Sequence, residues 1–580
     1  MDSYSSTIEL RLKSLGVFIL VIVGVLLWRM VDIQILQHVK YQKMATGQQR
    51  FEKSQMAERG KILVHDSPVD KSQYYPLAFD IKKFAVWIVP RNVKDKDKLA
   101  GILEPLLQIS KKDIFDKINN NKQYIPPMKR GLDLDQAGKI DELGLAGVLV
   151  LPEYSRYYPE SMLASQVLGF VNADGEGNYG FEGKYNEELK GKNGDIKGEK
   201  DTLGRVISLL EQTDPKNGNS YVLTIDRAVQ YFVEKKLSEA LTLYQASSGT
   251  IAIMDVETGG ILAMASAPSY DPNDYRTQAD KDPTLFINPA ISSLYEPGSI
   301  FKPIIMSGAI EQGVVAPETE EVFDWHTWVD GYEIKTAERK PFGRENMTQV
   351  LQNSDNVAMV WISEKMGKES VYKYLKAYNF LDKTGIRLSG EATGYTSPLK
   401  QWKDINRATI SFGQGIAVTP LQILCAYAAL ANGGVYEYPQ IVDKIIYSDG
   451  TEIKNEKVEG ERITSKDTAD KVNEMLRQVV ENGHSKKAKV AGFKVGAKTG
   501  TAQIPKLDGG YEESEDGLGI YTHSLAGLAP TDNPKFAMLV KLDRPKSAKY
   551  AESTAAPLFG EIASFLLNYH YRLTPTEPLD

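Results

Sequence analysis

The longest apolar run of the chain lies close to its N-terminus. Residues 15–36 are apolar apart from Arg29, Asp32 and Gln34. A membrane-spanning helix needs about 20 apolar residues, and the charged end of Arg29 can extend to the membrane interface while the helix continues. Because no small-residue cleavage site follows, the pattern predicts an uncleaved membrane anchor over residues 14–36. A buried helix of a soluble domain is the less favoured alternative, because few residues precede the run.

Basic residues flank this run on both sides. They are Arg11 and Lys13 before it, and Arg29, Lys40, Lys43, Arg50 and Lys53 within its end or after it. The positive-inside rule therefore does not by itself favour an external C-terminal body. A long domain can nevertheless be translocated despite such charges.

The pattern after the anchor changes near residue 218. Residues 37–218 are charged and mix short strand-like pieces, such as 84–89, with helix-like pieces, such as 99–107. We find no internal repeat, phosphate-binding loop or glycosyltransferase motif in this region. The turn-rich residues 211–220 are predicted to connect it to a second domain, which starts at residue 219.

Residues 219–570 alternate between strand and helix patterns. Asp226 is predicted to cap an amphipathic helix. The remaining elements are strands at 249–254 and 261–265 joined as a hairpin, helices over much of 300–432, further strands after 488 and a closing helix at 556–568. This order predicts an α+β domain in which helices cover an antiparallel sheet. Residues 1–13 and 571–580 are predicted tails.

Composition narrows the class of protein. The 580 residues are 42% hydrophobic and 25% charged, which is typical of a globular protein with several domains. The 69 basic and 76 acidic residues give a net charge of -7, so no basic field for nucleic acid is expected. The single cysteine, Cys425, excludes an intrachain disulfide and lies in a helix-like apolar run. The six histidines have no ligand spacing, so no metal and no cofactor are predicted.

Ser299 and Lys302 form the first candidate for chemistry. Residues three apart on a helix lie on the same face, so the hydroxyl and the amine are neighbours. Residues 296–298 are a Glu-Pro-Gly turn, and Pro303 is tolerated only near a helix start. The pattern therefore predicts Ser299 at a helix N-terminus, where free N–H groups favour the negative charge that forms during acyl transfer.

The same Ser-x-x-Lys spacing occurs at two other places, so the spacing alone is weak evidence for a catalytic site. The other copies are Ser370 with Lys373 and Ser397 with Lys400. Two later motifs add to the first copy. Ser354-Asp355-Asn356 supplies a hydroxyl and an amide, and Lys498-Thr499-Gly500-Thr501 supplies an ammonium and two hydroxyls. Taken singly, each of these residues has an ordinary structural explanation, such as a helix cap or a solvated strand residue.

Lys383-Thr384-Gly385 repeats the third motif. We favour Lys498 because apolar residues alternate over 493–498 as in a strand, and two further strand patterns follow at 522–528 and 535–542. Lys498 is therefore predicted to lie in an antiparallel sheet. Lys383 is followed by a loop-rich stretch.

The order Ser-x-x-Lys, Ser-x-Asn, Lys-Thr-Gly is the signature of penicillin-binding proteins and serine β-lactamases. Over nearly its whole length the chain resembles class B penicillin-binding proteins, which are monofunctional peptidoglycan D,D-transpeptidases. Further matching stretches are Arg59 to Ile62, Arg156 to Pro159, Gly180 to Gly183, and residues 408–415 continuing to 418–422. The last of these resembles the division-type, FtsI-like branch more than the elongation-type branch.

Two departures from the family pattern bear on the branch. The family usually follows Arg-Gly-x-Ile closely with Asp-Arg-Asn-Gly, whereas His65-Asp66-Ser67-Pro68 comes two residues late and lacks the glycine. Residues 354–356 are Ser-Asp-Asn where division enzymes often have Ser-Ser-Asn. Neither departure changes the predicted nucleophile.

The resemblance implies a penicillin-binding/β-lactamase-like transpeptidase domain over residues 219–570. It also implies an elongated, non-catalytic α+β pedestal or dimerisation-type domain over residues 37–218, and a single-pass anchor that holds the catalytic domain outside the cytoplasm. The implied ligands are stem peptides ending in D-Ala-D-Ala, with β-lactams as inhibitors. The implied partners are the membrane, a glycosyltransferase and other divisome proteins.

The hypothesis for the reaction is acyl transfer through a serine ester. Ser299 attacks and Lys302 is the base, which requires that burial and the charge of Lys498 lower the Lys302 pKa from about 10.4. The other assigned roles are proton relay by Ser354, substrate amide binding by Asn356, carboxylate binding by Lys498 and Thr499, close approach of the peptide at Gly500, and an oxyanion hole from the backbone N–H groups of Ser299 and Thr501. A serine β-lactamase, a D,D-carboxypeptidase, and a non-catalytic scaffold or β-lactam sensor remain alternatives.

Overall fold

The computed structural model describes residues 2–42, 50–66, 73–119, 127–200, 206–506, 510–513 and 520–572. The chain forms two compact units. The first comprises residues 1–58 and 191–217, and the second comprises residues 59–190 and 218–580.

The α-helices are numbered here in chain order. They are α1 (Asp2–Val31), α2 (Lys96–Leu107), α3 (Lys111–Asn119), α4 (Leu134–Asp141), α5 (Ser165–Leu168), α6 (Gly180–Lys184), α7 (Asn186–Lys190), α8 (Arg227–Tyr244), α9 (Tyr275–Lys281), α10 (Pro289–Ser292), α11 (Lys302–Glu311), α12 (Met347–Asn353), α13 (Asn356–Met366), α14 (Lys368–Ala377), α15 (Asp404–Ile410), α16 (Pro420–Ala431), α17 (Lys466–Asn482) and α18 (Ala555–Phe565).

The strands are numbered in the same way. They are β1 (Arg50–Gln55), β2 (Ile62–His65), β3 (Tyr74–Ile88), β4 (Lys129–Leu132), β5 (Val148–Tyr157), β6 (Phe170–Val171), β7 (Gly177–Asn178), β8 (Gly194–Lys200), β9 (Val206–Thr213), β10 (Ser220–Asp226), β11 (Ser248–Asp255), β12 (Ile261–Ala267), β13 (Glu320–Phe323), β14 (His326–Val329), β15 (Tyr332–Lys335), β16 (Gly343–Asn346), β17 (Val435–Tyr436), β18 (Val442–Ile446), β19 (Glu452–Lys454), β20 (Glu461–Arg462), β21 (Gly496–Gln503), β22 (Tyr521–Ala529) and β23 (Phe536–Asp543).

The first unit contains helix α1 and a three-stranded sheet in the order β1-β8-β9. Helix α1 continues as a π-helical turn at Asp32–Leu36. Within residues 10–36, a stretch of 18 residues has a mean hydropathy of 2.4 and none of it is buried, so the segment is long and apolar enough to cross a membrane. The Arg29 guanidinium donates to the Asp32 carboxylate at 2.6 Å, so these two charges of the segment compensate each other.

The second unit contains a seven-stranded mixed sheet. Its main path is β19-β18-β10-β2-β3-β4, and β5 pairs with β3. Strand β10 runs parallel to β2, whereas the other pairs are antiparallel. Helices α2, α3 and α4 pack against β3, β4 and β5 through their own apolar cluster. This sheet joins strands from both sides of the predicted domain limit at residue 218.

A five-stranded antiparallel sheet forms the centre of the second unit, in the order β12-β11-β23-β22-β21. Alternate residues of β11 enter different cores. Ile251 and Ile253 pack with α8 and α18, whereas Ala252 and Met254 pack on the opposite face with α16. Because helices cover both faces, these strands are apolar on both sides, which explains their nearly continuous hydrophobic sequences.

The predicted α+β class with an antiparallel sheet is confirmed. Asp226 caps α8 by accepting from the Val229 N–H at 3.0 Å, as predicted. The hairpin of β11 and β12, the strands β22 and β23 and the closing helix α18 are also where the patterns indicated. One strand start is wrong: β21 begins at Gly496 and not at residue 493, because the chain turns at Gly492 (φ 76°) and Val490 pairs with Phe493 instead.

Candidate active site

Ser299 lies in a 3-10 turn, Gly298–Phe301, that leads directly into helix α11. Gly298 has φ 60°, a conformation that favours glycine, and its N–H donates to the Gly413 carbonyl at 3.0 Å. The Tyr427 hydroxyl donates to the Ile300 carbonyl at 2.8 Å. The turn that carries the serine is therefore fixed from two sides. The predicted helix-start position of Ser299 is confirmed.

Ser299 and Lys302 lie on the same side of this turn, because side chains three apart eclipse each other in a 3-10 helix. Lys302 is fully buried, whereas Ser299 is only partly buried. Within the described ranges, the Ser299 hydroxyl makes no hydrogen bond. The serine is thus left available at the surface of the site while the lysine lies beneath it.

The Lys302 ammonium is held by residues of the second motif. It donates to the Ser354 carbonyl at 2.6 Å, to the Ser354 hydroxyl at 3.2 Å and to Asn356 Oδ1 at 2.7 Å. Ser354 ends α12 with φ 56°, and Asp355 caps α13 through the N–H groups of residues 357 and 358. The left-handed turn at Ser354 lets both its carbonyl and its hydroxyl face the lysine.

Burial lowers the pKa of Lys302 well below its ordinary value, and the positive charge of Lys498 lowers it further. Negative charges on Asp355 and Glu345 act in the opposite direction. A lysine can accept a proton at neutral pH only when its pKa is lowered in this way. The arrangement therefore supplies a base that contacts the Ser354 hydroxyl and lies one turn from Ser299, without any histidine.

The third motif lies on β21, which is an edge strand of the five-stranded sheet. A Cβ atom added at Gly500 would lie 2.6 Å from Ser524 Oγ, 3.0 Å from the Pro297 carbonyl oxygen and 3.1 Å from Ile300 Cγ2. The strand thus packs directly against the turn that carries the nucleophile. Gly500 is needed for this close packing, and not only for the approach of a substrate as predicted from the sequence.

Lys498 is fully buried, and within the described ranges its ammonium donates only to the Thr499 carbonyl, at 3.1 Å. Burial lowers the pKa of Lys498 to about 7. Thr499 is also buried, and Thr501 Oγ1 accepts from the Ala551 N–H at 3.2 Å. The structure therefore brings Lys498 to Thr501 to the same site as Ser299, Lys302, Ser354 and Asn356.

The other copies of the motifs have structural roles. Thr384 donates its hydroxyl to Glu391 at 2.5 Å within a loop, so Lys383 to Gly385 are not part of a sheet. Ser370 and Lys373 lie on α14, and the Ser397 carbonyl accepts from Trp402 Nε1 at 2.8 Å. The copies favoured by the local sequence pattern, Ser299 with Lys302 and Lys498 to Gly500, are the ones that lie at one site.

Several residues at the site were not found from the sequence. Tyr427 holds the nucleophile turn from α16, and Glu296 accepts from the Gly415 N–H at 2.8 Å and from the Tyr511 hydroxyl at 3.2 Å. Glu345 lies near Lys302 and Asp355. Asp355, which neighbours Glu345, differs from these residues because its position could be predicted: an aspartate before an apolar helical run is a typical N-cap.

The sheet is covered by helices, Lys498 lies on its edge strand, and Ser299 and Lys302 lie where the nucleophile turn packs against that strand. This arrangement defines a serine acyltransferase of the kind that has no catalytic histidine. The chain belongs to the penicillin-binding protein family. The model of the penicillin binding protein transpeptidase domain matches residues 249–564, and that of the penicillin-binding protein dimerisation domain matches residues 54–223. The predicted resemblance is confirmed.

Curated relatives agree with this assignment. Stage V sporulation protein D of Bacillus subtilis is 34% identical over 514 residues, which cover 87% of this chain and 77% of the relative. Peptidoglycan D,D-transpeptidase FtsI of Escherichia coli is 31% identical over 500 residues, which cover 85% of this chain and 81% of the relative. The structure of penicillin binding protein 3 from Mycobacterium tuberculosis complexed with aztreonam matches with a TM-score of 0.69 and 26% identity, covering 91% of this chain and all of that chain.

Proposed function

We propose that this protein is a peptidoglycan D,D-transpeptidase that cross-links stem peptides through an acyl-serine intermediate. The observation that carries the proposal is the buried Lys302 ammonium, bound to Ser354 and Asn356 and located one turn from the Ser299 hydroxyl. The relatives named D,D-transpeptidase FtsI and the aztreonam complex of penicillin binding protein 3 support the substrate class.

The first half of the reaction acylates Ser299. Neutral Lys302 takes the hydroxyl proton while Ser299 Oγ bonds to the carbonyl carbon between two D-alanines. The backbone N–H groups of Ser299 and Thr501 stabilise the oxyanion, each contributing about 3–4 kcal/mol. When the C–N bond breaks, Ser354 relays the proton from Lys302 to the departing D-alanine amine.

The edge strand β21 orients the donor peptide. An extended peptide adds to its free edge as a further strand, and Asn356 binds the substrate amide. The hydroxyl of Thr499 and the ammonium of Lys498 bind the terminal carboxylate. Because Lys498 has a pKa of about 7 without substrate, the arriving carboxylate favours its protonated form.

The second half of the reaction forms the cross-link. An amine of a second stem peptide attacks the ester carbonyl and gives its proton to the base, and the Ser299 oxygen leaves and is protonated again. The new amide joins the two peptides, and the enzyme returns to its starting state. β-Lactams acylate the same serine and remain attached.

We further propose a role in septal wall synthesis, on the resemblance of residues 408–422 to the division-type branch. Residues 14–36 anchor the chain in the cell membrane, residues 37–218 form the pedestal, and residues 219–570 form the catalytic domain outside the cytoplasm. A glycosyltransferase that supplies nascent glycan strands and other divisome proteins are the expected partners. Septal rather than lateral position of a fluorescent fusion in dividing cells tests the division role against an elongation role.

Labelling with a fluorescent penicillin tests the site. We expect a long-lived adduct on the wild type and on Ser397→Ala, and no adduct on Ser299→Ala. Incubation with a donor ending in D-Ala-D-Ala and an acceptor amine then tests the reaction, with a cross-linked product expected. Rapid turnover of the penicillin would indicate a β-lactamase, and release of D-alanine without cross-linking would indicate a carboxypeptidase. No adduct on the wild type would indicate a non-catalytic scaffold.

A further inference from the structure

Two buried carboxyl groups lie behind the residues that bind Lys302. Glu345 on β16 is 2% exposed and Asp355 is fully buried. Neither group has a role in the reaction proposed above. Two carboxylates in one buried place are unfavourable unless a proton or a cation compensates their charge.

One oxygen of each carboxyl group is used by neighbouring backbone or side-chain donors. Asp355 Oδ1 accepts from the Val357 N–H at 2.7 Å and from the Ala358 N–H at 3.1 Å. Glu345 Oε1 accepts from Asn353 Nδ2 at 2.7 Å. The second oxygens, Asp355 Oδ2 and Glu345 Oε2, are buried and have no donor among the residues that the structure describes.

The charge of Asp355 acts on Glu345, so the two unpartnered oxygens belong to neighbouring carboxyl groups. A carboxylate is only an acceptor, so a hydrogen bond between the two groups requires that one of them carries a proton. A proton shared between the two groups would satisfy both of the remaining oxygens at once. It would also leave the pair with one negative charge and not two.

The pair connects both ends of helix α12 to the turn that follows it. Glu345 lies just before the helix, and Asn353, its hydrogen-bond partner, is the last residue of the helix. Asp355 follows Ser354, whose left-handed conformation aims its carbonyl at Lys302. Asn356, on the other side of Asp355, supplies the third contact to the ammonium.

We propose that Glu345 and Asp355 share one proton and act as a positioning pair for Lys302. The pair fixes the Ser354 turn in the conformation that binds the lysine, and it presents a single negative charge to the buried ammonium. This inference rests on the proposed function, in which neutral Lys302 is the base.

The charges around the pair determine how it responds to pH. Lys302 and Asp355 act on Glu345, and Lys498 acts on Lys302 from β21. Glu321, opposite Glu345 on β13, is exposed and accepts from the Val322 N–H at 2.9 Å.

Burial, together with the charge of Asp355, raises the pKa of Glu345 to about 7. When the pair loses its proton above this pH, the added negative charge raises the pKa of Lys302 and slows acylation. The bond between the two carboxyl groups is lost at the same time.

The rate of penicillin acylation between pH 6 and pH 9 tests the pair in the full-length protein. Glu345→Gln keeps the shape and donates a permanent N–H to Asp355, so it removes the ionisation but not the bond. We expect the ratio of the Glu345→Gln rate to the wild-type rate to be near one at pH 6 and to rise about threefold by pH 9. Glu345→Ala leaves Asn353 Nδ2 and Asp355 Oδ2 without partners, and we expect at least about a tenfold loss at every pH.

Glu311→Gln is the matched control. Glu311 ends α11 and accepts from the Ser465 N–H at 2.9 Å and from Thr468 at 2.6 Å, away from Lys302. Its rate ratio to the wild type should stay constant with pH. A constant ratio for Glu345→Gln, or a loss as large as that of Glu345→Ala, would overturn the proposal. Failure of the proposed function would appear separately, as a wild type that is not acylated.

Discussion

Two groups of buried charges in the second unit differ in how they are compensated. In the first, Arg59 and Arg156 bind the two oxygens of Glu182 at 2.6–2.7 Å, and Arg156 also binds Asp80 at 3.2 Å. In the second, Lys302 and Lys498 are fully buried and have only neutral oxygen acceptors in direct contact, within the described ranges. Opposite charges in direct contact compensate the first group, whereas burial without such contacts lowers the pKa values of Lys302 and Lys498, which suits the second group to proton transfer.

The largest expected effect is at Lys302. Lys302→Met removes the base, and we expect penicillin acylation to fall about 10³-fold. Because a buried amine with a lowered pKa is replaced by an apolar side chain of similar length, the melting temperature should not fall. Stopped-flow acylation and thermal unfolding measure the two effects.

Lys373→Met is the control for Lys302→Met, since Lys373 belongs to another copy of the motif on α14. Its acylation rate should equal that of the wild type. Acylation that survives in Lys302→Met would show that the lysine is not the base.

In the first group, that of Arg59, Arg156, Glu182 and Asp80, a substitution should lower stability and leave acylation nearly unchanged. Arg156→Met leaves Asp80 and one oxygen of Glu182 without a cation, and we expect a loss of about 3–5 kcal/mol in the free energy of unfolding. The acylation rate per folded molecule should stay within about twofold of the wild type. Denaturant unfolding and active-site titration separate the two quantities. A loss of acylation without loss of stability would contradict the distinction between the two groups.

Lys498→Met should stabilise the fold while it impairs substrate binding. Lys498 has a pKa of about 7 in the folded state and about 10.4 in the unfolded state, so the folded state binds fewer protons between these values. The stability of the wild type therefore rises with pH across this window. We expect the variant to have the higher melting temperature at pH 7, with the difference shrinking toward pH 10. A difference that does not change with pH would mean that Lys498 is not shifted by burial.

The smallest effect is expected at Gly500. In Gly500→Ala, the new methyl group would lie 2.6 Å from Ser524 Oγ and 3.0 Å from the Pro297 carbonyl oxygen, so the nucleophile turn must shift. We expect about a tenfold loss of acylation, since small displacements of reacting groups are costly. Adding Ser524→Ala should recover part of the rate. Normal acylation of Gly500→Ala would show that the strand does not pack tightly against the nucleophile turn.

Local patterns predicted the elements that depend on short-range sequence. Asp226 as a helix cap, the β11–β12 hairpin and the position of Ser299 at a helix start all follow from spacing within a few residues. The order of the three motifs then predicted the set of residues that converges. Glu345 and Tyr427 could not be found in this way, because their roles depend on contacts between elements far apart in the chain.

The sequence also did not show why position 500 must be glycine. The sequence showed a residue without a side chain beside two strand formers, but not what packs against it. The contact with Pro297 and Ile300 arises only when the edge strand meets the nucleophile turn. The strand start at Gly496 was missed for a related reason, because the bridge between Val490 and Phe493 interrupts an alternation that continues in the sequence.

The pH dependence of Ser299 acylation in the wild type tests the central claim most directly. If Lys302 is neutral at neutral pH because it is buried beside a second cation, the acylation rate should reach half of its maximum well below the ordinary lysine pKa of about 10.4. Lys302→Met should lose this transition. A rate that keeps rising toward pH 10, with no transition removed by the substitution, would contradict the account.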